Sequence, residues 1–348
     1  VNIQLSSRTI GPGFPVYIIA EMSANHGQNY DEAVRIIHAM KEAGADAVKL
    51  QTYTPDTLTI NCDKPDFQIG AGTIWEGKNL YELYREAYTP WEWQPGLKSE
   101  AERLGMHCFS SPFDASAVDF LEDMHVPAHK IASFELVDIP LIRKVARTGK
   151  PMIMSTGMAS VEEIEEAVAA VREEGNERLA LLKCTSAYPA DPADMNLRTI
   201  PAMIERFGMP VGLSDHTMGI AAPVAAVALG ACIIEKHFTM DRSVPGPDSA
   251  FSLEPHEFKA MVEAVRTTER SLGSVSYALT DKEKASRVFR RSLYVVQDMQ
   301  EGDLFTEQNV RSIRPGYGMA PKHLPGILGR RAACAISRGS PLHWECVK

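Results

Sequence analysis

The chain has 348 residues, 45% of them hydrophobic and 23% charged, with a formal net charge of −9. That is the profile of a soluble globular protein large enough for more than one domain, and it argues against a nucleic-acid or membrane partner held by a general basic surface. No apolar run approaches the roughly 20 residues of a bilayer span, and no basic-then-apolar leader opens the chain, so the expected compartment is the cytoplasm. Anionic small substrates stay open, because they see local charge.

In chain order, strand and helix alternate. Val16 to Ala20 is an apolar β-rich run ending at Glu21, followed by helical periodicity from Asp31 to Ala43. Ala47 to Leu50 is the next strand, with Lys49 and Gln51 at its end. A polar and aromatic excursion, Tyr53 to Thr89, contains Trp75 and a short helix near Leu80 to Ala87. Pro90 is expected to open a helix running to Leu104. Met106 to Phe109 ends in Ser110-Ser111-Pro112-Phe113-Asp114, and His129 to Ala132 carries Lys130, Ser133 and Glu135. Met152 to Met154 ends at Ser155, and Leu179 to Lys183 runs into Cys184-Thr185-Ser186-Ala187-Tyr188. The last two runs, Val211 to His216 and Cys232 to His237, flank an Ala- and Val-rich crossover helix between Gly219 and Leu229. Cys108, Cys184 and Cys232 fall inside these strands and read as reduced core thiols.

Eight β-then-α units match the order of a (β/α)8 TIM barrel; a doubly wound open sheet is the competitor, but no reversal in connection style interrupts the series. The Gly-x-Gly at Gly11 precedes the first strand and is not a dinucleotide fingerprint. Active sites of such barrels lie at the C-terminal strand ends. Here those ends read Glu21, Lys49, Gln51, Ser111, Asp114, Lys130, Ser133, Glu135, Ser155, Ser186, Tyr188, Ser214, His216, Lys236 and His237. His216 and His237, from adjacent strands, can share one divalent metal with positions left for water and substrate; a hydrogen-bonded structural role is the plainer alternative. Lys49 and Lys130, with Ser111, Ser155 and Ser214, can cradle a phosphate or carboxylate. Either lysine can instead pair with Glu21 or Glu135, or form a Schiff base. Ser214-Asp215-His216 is no hydrolytic triad, because consecutive strand residues alternate sides.

Residues 1–272 are therefore expected to form the barrel domain, 273–289 a polar linker, and 290–348 a small β-rich domain with many Gly and Pro turns. Arg314, on a turn in that domain, can reach an anionic or polyhydroxy ligand; most loop arginines are simply solvated.

The whole chain resembles the sialic acid synthase family, in which a TIM barrel is joined to an antifreeze-like (SAF) domain. The resemblance rests on Ile19-Ala-Glu-Met-Ser-Ala-Asn-His26, Val48-Lys-Leu-Gln51, Ser110-Ser-Pro-Phe-Asp114, Lys130-Ile-Ala-Ser-Phe-Glu135, Met154-Ser-Thr-Gly-Met158, Cys184-Thr-Ser-Ala-Tyr-Pro189, Gly212-Leu-Ser-Asp-His216, Lys236-His-Phe-Thr239, Gly246-Pro-Asp248 and Arg314-Pro-Gly316. It implies a transferase that condenses phosphoenolpyruvate with an open-chain N-acetylated sugar to a nine-carbon 2-keto acid and phosphate. It further implies Mn²⁺ (or Mg²⁺ or Co²⁺) on His216 and His237, and phosphoenolpyruvate held by Lys49, Ser111, Lys130, Ser155 and Ser214. Glu21, Gln51, Tyr188 and Asp248 face the sugar, with Ser133 and Ser186 among the binding residues, and Arg314 comes from the partner of a domain-swapped homodimer. Glu135 is the candidate base for the attacking water and Asp114 its alternative; Lys130 and Glu21 complete the catalytic set.

The chain has Ser186 where the family motif has asparagine. The excursion sequence Thr73-Ile-Trp-Glu-Gly-Lys-Asn-Leu-Tyr-Glu-Leu-Tyr-Arg-Glu-Ala-Tyr-Thr-Pro-Trp-Glu-Trp93 looks like the pseudaminic acid synthase branch, whose sugar is 2,4-diacetamido-2,4,6-trideoxy-L-altrose. Aromatic residues in a lid can pack on its less polar substituents, or simply pin a long loop. N-acetylneuraminate and legionaminate synthases are the alternatives within the family. Outside it stand a metal-dependent sugar-ester hydrolase and a noncatalytic sugar-binding protein.

Overall fold

The computed structural model describes residues 1–348 except Ala71 and Thr73, so the first residue of the aromatic-rich stretch lies outside the described residues. Two compact units divide the chain, Val1–Gly273 and Ser274–Lys348. The first begins with an antiparallel hairpin of β1 (Ile3–Leu5) and β2 (Arg8–Ile10). Eight parallel strands then close a barrel: β3 (Tyr17–Glu21), β4 (Ala47–Thr52), β5 (His107–Pro112), β6 (His129–Ile131), β7 (Met152–Ser155), β8 (Leu179–Cys184), β9 (Val211–Asp215) and β10 (Ile233–His237). Each pairs with its sequence neighbour, and β10 closes on β3 with Ile233 opposite Tyr17 and His237 opposite Glu21.

Burial on both faces explains the continuous apolar runs. Outward residues such as Ile18, Val48, Met154, Leu181, Leu213 and Ile234 join the surrounding helices in one core. Inward residues Tyr17, Ile19, Phe109, Ile153, Leu182 and Ile233 form a second core, into which the hairpin inserts Ile3, Leu5 and Ile10. The hairpin thus plugs the N-terminal end of the barrel. Two strands of three residues are too short to show periodicity in the sequence. Gly212 is required where β9 and β10 meet: a Cβ there stands 2.5 Å from the Ile233 carbonyl oxygen.

The expected helix starting at Pro90 divides into a 3₁₀ turn, Trp91–Trp93, and an α-helix, Gln94–Arg103, with Pro95 in its first turn. The residues read as a linker include a short helix, Asp281–Ser286, capped by Thr280 and Glu283. The second unit carries the antiparallel pair β11 (Ser292–Val295) and β12 (Val310–Ile313), packed on a core that includes Leu293, Met299, Phe305, Ile327 and Leu342. Among the described residues, no helix is long and apolar enough to cross a membrane.

Candidate active site

Strand alternation decides which polar side chains meet. Glu21, Lys49, Lys130, Ser155, Ser214, Glu235 and His237 are all buried where the upper ends of the strands face inward. Lys49 Nζ lies 2.6 Å from Glu21 Oε2 and 3.3 Å from Glu235 Oε1. Lys130 Nζ reaches the same Glu235 oxygen at 3.3 Å and donates to Ser155 Oγ at 2.7 Å. Ser214 Oγ donates to that oxygen as well, at 3.2 Å. Two cations and two carboxylates thus form one buried network.

Its charges do not respond alike. Burial opposes ionisation of Glu235, but Lys130 and Lys49 outweigh it and draw the carboxyl down to about 2. Glu21 is raised, because burial outweighs its contact with Lys49. Lys49 is held above its ordinary value by Glu21 and Glu235 against the opposing effect of burial. Lys130 is lowered, because burial prevails over Glu235. Glu235 was missed by sequence reasoning, which took only Lys236 and His237 from the end of that strand. The signal was available: it shares a face with His237, two residues on.

Above this network lies a cavity of about 300 Å³ lined by Lys49, Gln51, Lys130, Ser133, Glu135, Ser155, Ser214, Glu235, His216, His237, Tyr188 and Asp248, together with apolar side chains. His216 and His237 face each other with ring centroids 5.3 Å apart. His216 Nδ1 donates to the Thr185 carbonyl at 3.1 Å; burial lowers this imidazole, but Cys184 and the Thr185 carbonyl prevail and raise it, and Nε2 carries the lone pair in the neutral ring. His237 Nδ1 is buried without a partner, and burial, with His216 next to it, pushes this imidazole well below its usual value into the neutral form. Among the described residues no group of three or more His, Cys, Asp and Glu is placed to hold a metal. The orphaned His237 nitrogen is the feature an ion on this pair would explain, and its other ligands would then have to come from water and substrate.

Cys184 Sγ lies 3.9 Å from His216 Nδ1. Burial raises this thiol, but the His216 contact prevails and brings it to about 7. Ser133 Oγ accepts from the Gly157 amide at 3.1 Å. A Cβ at Gly157 would come within 2.2 Å of Ser186 Oγ and 2.8 Å of Ser133 Oγ, which is why the turn after β7 reads Ser-Thr-Gly.

Glu135 lines the cavity from a 3₁₀ turn, Ser133–Glu135, with Oε2 buried and unpartnered. Burial raises it to about 7. Asp248 is half-buried beside the Ser23 hydroxyl, which donates to it, and desolvation in that setting raises its carboxyl too. Gln51 Nε2 donates to Ser23 Oγ at 3.0 Å and to Glu21 Oε1 at 3.2 Å.

Several expected site residues are placed differently. Asp114 is the N-cap of the helix Ala115–Asp123, accepting from the Ser116 and Ala117 amides, so both its oxygens serve a helix end away from the cavity. Lys236 points outward and pairs with Asp215, which shares that outer face. Ser111 is wholly buried on the inner face with an unpartnered hydroxyl, but it does not line the cavity. Glu21 and Ser186 also stand outside the lining: Glu21 supports Lys49, and Ser186 Oγ sits 3.8 Å from Cys184 Sγ. Arg314 follows β12 in the second unit, in a cis peptide with Pro315.

The excursion after β4 forms one wall of the cavity. Trp75 Nε1 donates to the Pro247 carbonyl at 2.8 Å, and its ring lies 5.6 Å from Tyr188. Tyr53 packs edge-on against Phe113 and Tyr84.

Comparison with known proteins agrees with this fold. Residues 36–277 match the NeuB family and residues 290–348 the SAF domain. The chain is 49% identical to the pseudaminic acid synthase of Campylobacter jejuni over 94% of its length and 95% of the relative's. With the pseudaminic acid synthase of Helicobacter pylori the identity is 45%, over 94% and 96%. The solved structure of the N-acetylneuraminic acid (sialic acid) synthetase from Leptospira borgpetersenii superposes with a TM-score of 0.73 at 32% identity, covering 82% of this chain and 95% of that one. The chain belongs to the NeuB family and carries a SAF domain after its barrel.

Proposed function

We propose that the chain is a pseudaminic acid synthase, condensing phosphoenolpyruvate with 2,4-diacetamido-2,4,6-trideoxy-L-altrose to a nine-carbon 2-keto acid and phosphate. The observation that carries this reading is a single cavity in which Lys49, Lys130, a facing pair of imidazoles and an unpaired Glu135 converge. Similarity to the two pseudaminic acid synthases selects this branch over the legionaminate and N-acetylneuraminate alternatives.

Lys49 and Lys130, with Ser155 and Ser214, bind the phosphate and carboxylate of phosphoenolpyruvate by charge-assisted hydrogen bonds. Ser111 is left out of this set, because its buried hydroxyl does not line the cavity. Gln51, Tyr188 and Asp248 orient the sugar, with Ser133 and Ser186 shaping the adjoining turn. The methylene carbon of phosphoenolpyruvate forms the new bond to the aldehyde carbon; water adds at the neighbouring carbon, and the tetrahedral adduct expels phosphate. Glu135 Oε2 takes the proton of that water, as a carboxylate tuned to about 7 is able to do at neutral pH. His216 and His237 would hold a divalent cation, Mn²⁺ first and Mg²⁺ or Co²⁺ as alternatives. When bound, it supplies Lewis-acid polarisation of the aldehyde oxygen.

We divide the chain functionally into a synthase domain of residues 1–272, a linker of 273–289 and the SAF domain of 290–348, and place the enzyme in the cytoplasm. In this reading Arg314 acts across a domain-swapped homodimer. Mixing Arg314→Ala with Lys130→Met, each inactive alone, then restores activity in hybrid dimers; no recovery refutes action in trans.

The function is tested by phosphate release from phosphoenolpyruvate with Mn²⁺, offering the diacetamido-altrose, N-acetylmannosamine and the legionaminate precursor separately. Release with the altrose alone is expected. Release only with another sugar moves the assignment to that branch, and silence with all three refutes the synthase reading.

A further inference from the structure

The cavity has two unlike sides. Its floor is the polar network of the strand ends, whereas Leu58, Ile69, Leu80, Leu83 and Ala87, all from the excursion after β4, face it from above. None of these five side chains can donate or accept a hydrogen bond. Phe113 adds an aromatic face from the loop after β5.

This wall is fixed in place. Asn79 caps the helix Leu80–Ala87 through the Tyr81 amide, and its side-chain amide donates to the Cys62 carbonyl at 2.7 Å. Ile69 and Lys78 are joined by backbone hydrogen bonding, and the Trp75 indole ties the tip of the segment to Pro247.

The inference rests on the synthase reading above. The aldehyde carbon must meet phosphoenolpyruvate at the floor, near His216 and His237. An open six-carbon chain anchored there sends its far end away from the floor and toward the apolar wall. We propose that Leu58, Ile69, Leu80, Leu83 and Ala87 form a deoxy-selective subsite that receives the terminal methyl group of the sugar and rejects a terminal hydroxyl. A methyl group gains by leaving water there, whereas a hydroxyl loses its water partners and finds none among these five side chains; Tyr53 and Tyr84 also line the cavity from this segment. Selectivity therefore comes from this aliphatic surface, and the Trp75 ring acts as the tie that holds it.

The test uses a matched pair: 2,4-diacetamido-2,4,6-trideoxy-L-altrose and the same sugar carrying a hydroxyl at carbon 6. With the wild-type enzyme, phosphoenolpyruvate and Mn²⁺, kcat/KM for phosphate release is expected to favour the deoxy sugar by about 10- to 100-fold. Ile69→Asn and Ala87→Ser each place a polar group on the wall. Both are expected to shrink that ratio, Ile69→Asn by about tenfold and mainly through a higher KM for the deoxy sugar. Ile69→Val keeps the ratio. Should Ile69→Asn lose its thermal transition, Ala87→Ser, the smaller change, carries the test alone. A wild-type ratio near one, or variants that lower both sugars by the same factor, overturns the subsite. No phosphate release by the wild type with either sugar refutes the synthase reading itself, a separate failure.

Discussion

Glu135 offers the sharpest test, because its environment ties activity and stability to one proton. Raising a carboxyl from about 4.5 to about 7 sets at most about 3 kcal/mol against its charged form in the folded protein. The folded state binds this proton more tightly than the unfolded state. Its contribution to stability is therefore full below about 4.5 and is lost as pH rises through about 7. Glu135→Gln carries no charge to bury and escapes that loss. The variant should lie within about 1 kcal/mol of the wild type in thermal stability near pH 5 and exceed it above pH 7, by up to about 3 kcal/mol. Catalysis moves the other way. As the base, Glu135 must be ionised, so wild-type kcat should fall about tenfold for each pH unit below about 7. Glu135→Gln should remove that acidic limb and lower kcat by roughly 10²- to 10⁴-fold, with phosphoenolpyruvate affinity nearly unchanged. Calorimetric melting and a phosphate-release profile from pH 5 to 9 read both arms. Near-normal turnover in the variant, or an acidic limb that survives the substitution, refutes the assigned role.

Other sites give independent checks. His216→Ala or His237→Ala should abolish Mn²⁺ binding in equilibrium dialysis while leaving the fold intact; retained affinity in either variant excludes the pair as ligands. Glu235→Gln removes the charge that compensates two buried lysines and should destabilise the protein by about 3–5 kcal/mol in denaturant melts, as loss of one partner of a buried ion pair does. A change below 1 kcal/mol would mean that water already screens the network. Leu5→Ala, at a fully buried hairpin position, should cost about 2–5 kcal/mol without altering KM for either substrate.

Much of this was legible in the sequence, for definite reasons. Parallel strands buried on both faces write themselves as short apolar runs, and the polar residue at the end of each run marks the mouth of the barrel. That logic picked out Lys49, Lys130, Ser155, Ser214 and the two histidines, all of which line the cavity. It erred where residues were grouped by position along the chain and not by face. Alternation joins Glu235 to His237 at the site, and sends Lys236 outward to Asp215. Asp114 stood near a strand end but is followed by a helix, and a short acidic side chain at that junction satisfies the amides of the first turn. The aliphatic wall was hidden for another reason. Leu80, Leu83 and Ala87 share one helix face, but Leu58 and Ile69 stand at no regular interval from them, and only the folded excursion brings all five to one surface.

The hairpin at the beginning of the barrel has a consequence for traffic. With Ile3, Leu5 and Ile10 stoppering one end, the site is a cul-de-sac whose innermost berth, among Lys130, Ser155 and Glu235, lies behind everything else that enters. Whatever occupies that berth must arrive before the second substrate and leave after its product. The expected pattern is therefore an ordered sequence, phosphoenolpyruvate first in and phosphate last out, with the sugar acting as the cork between them.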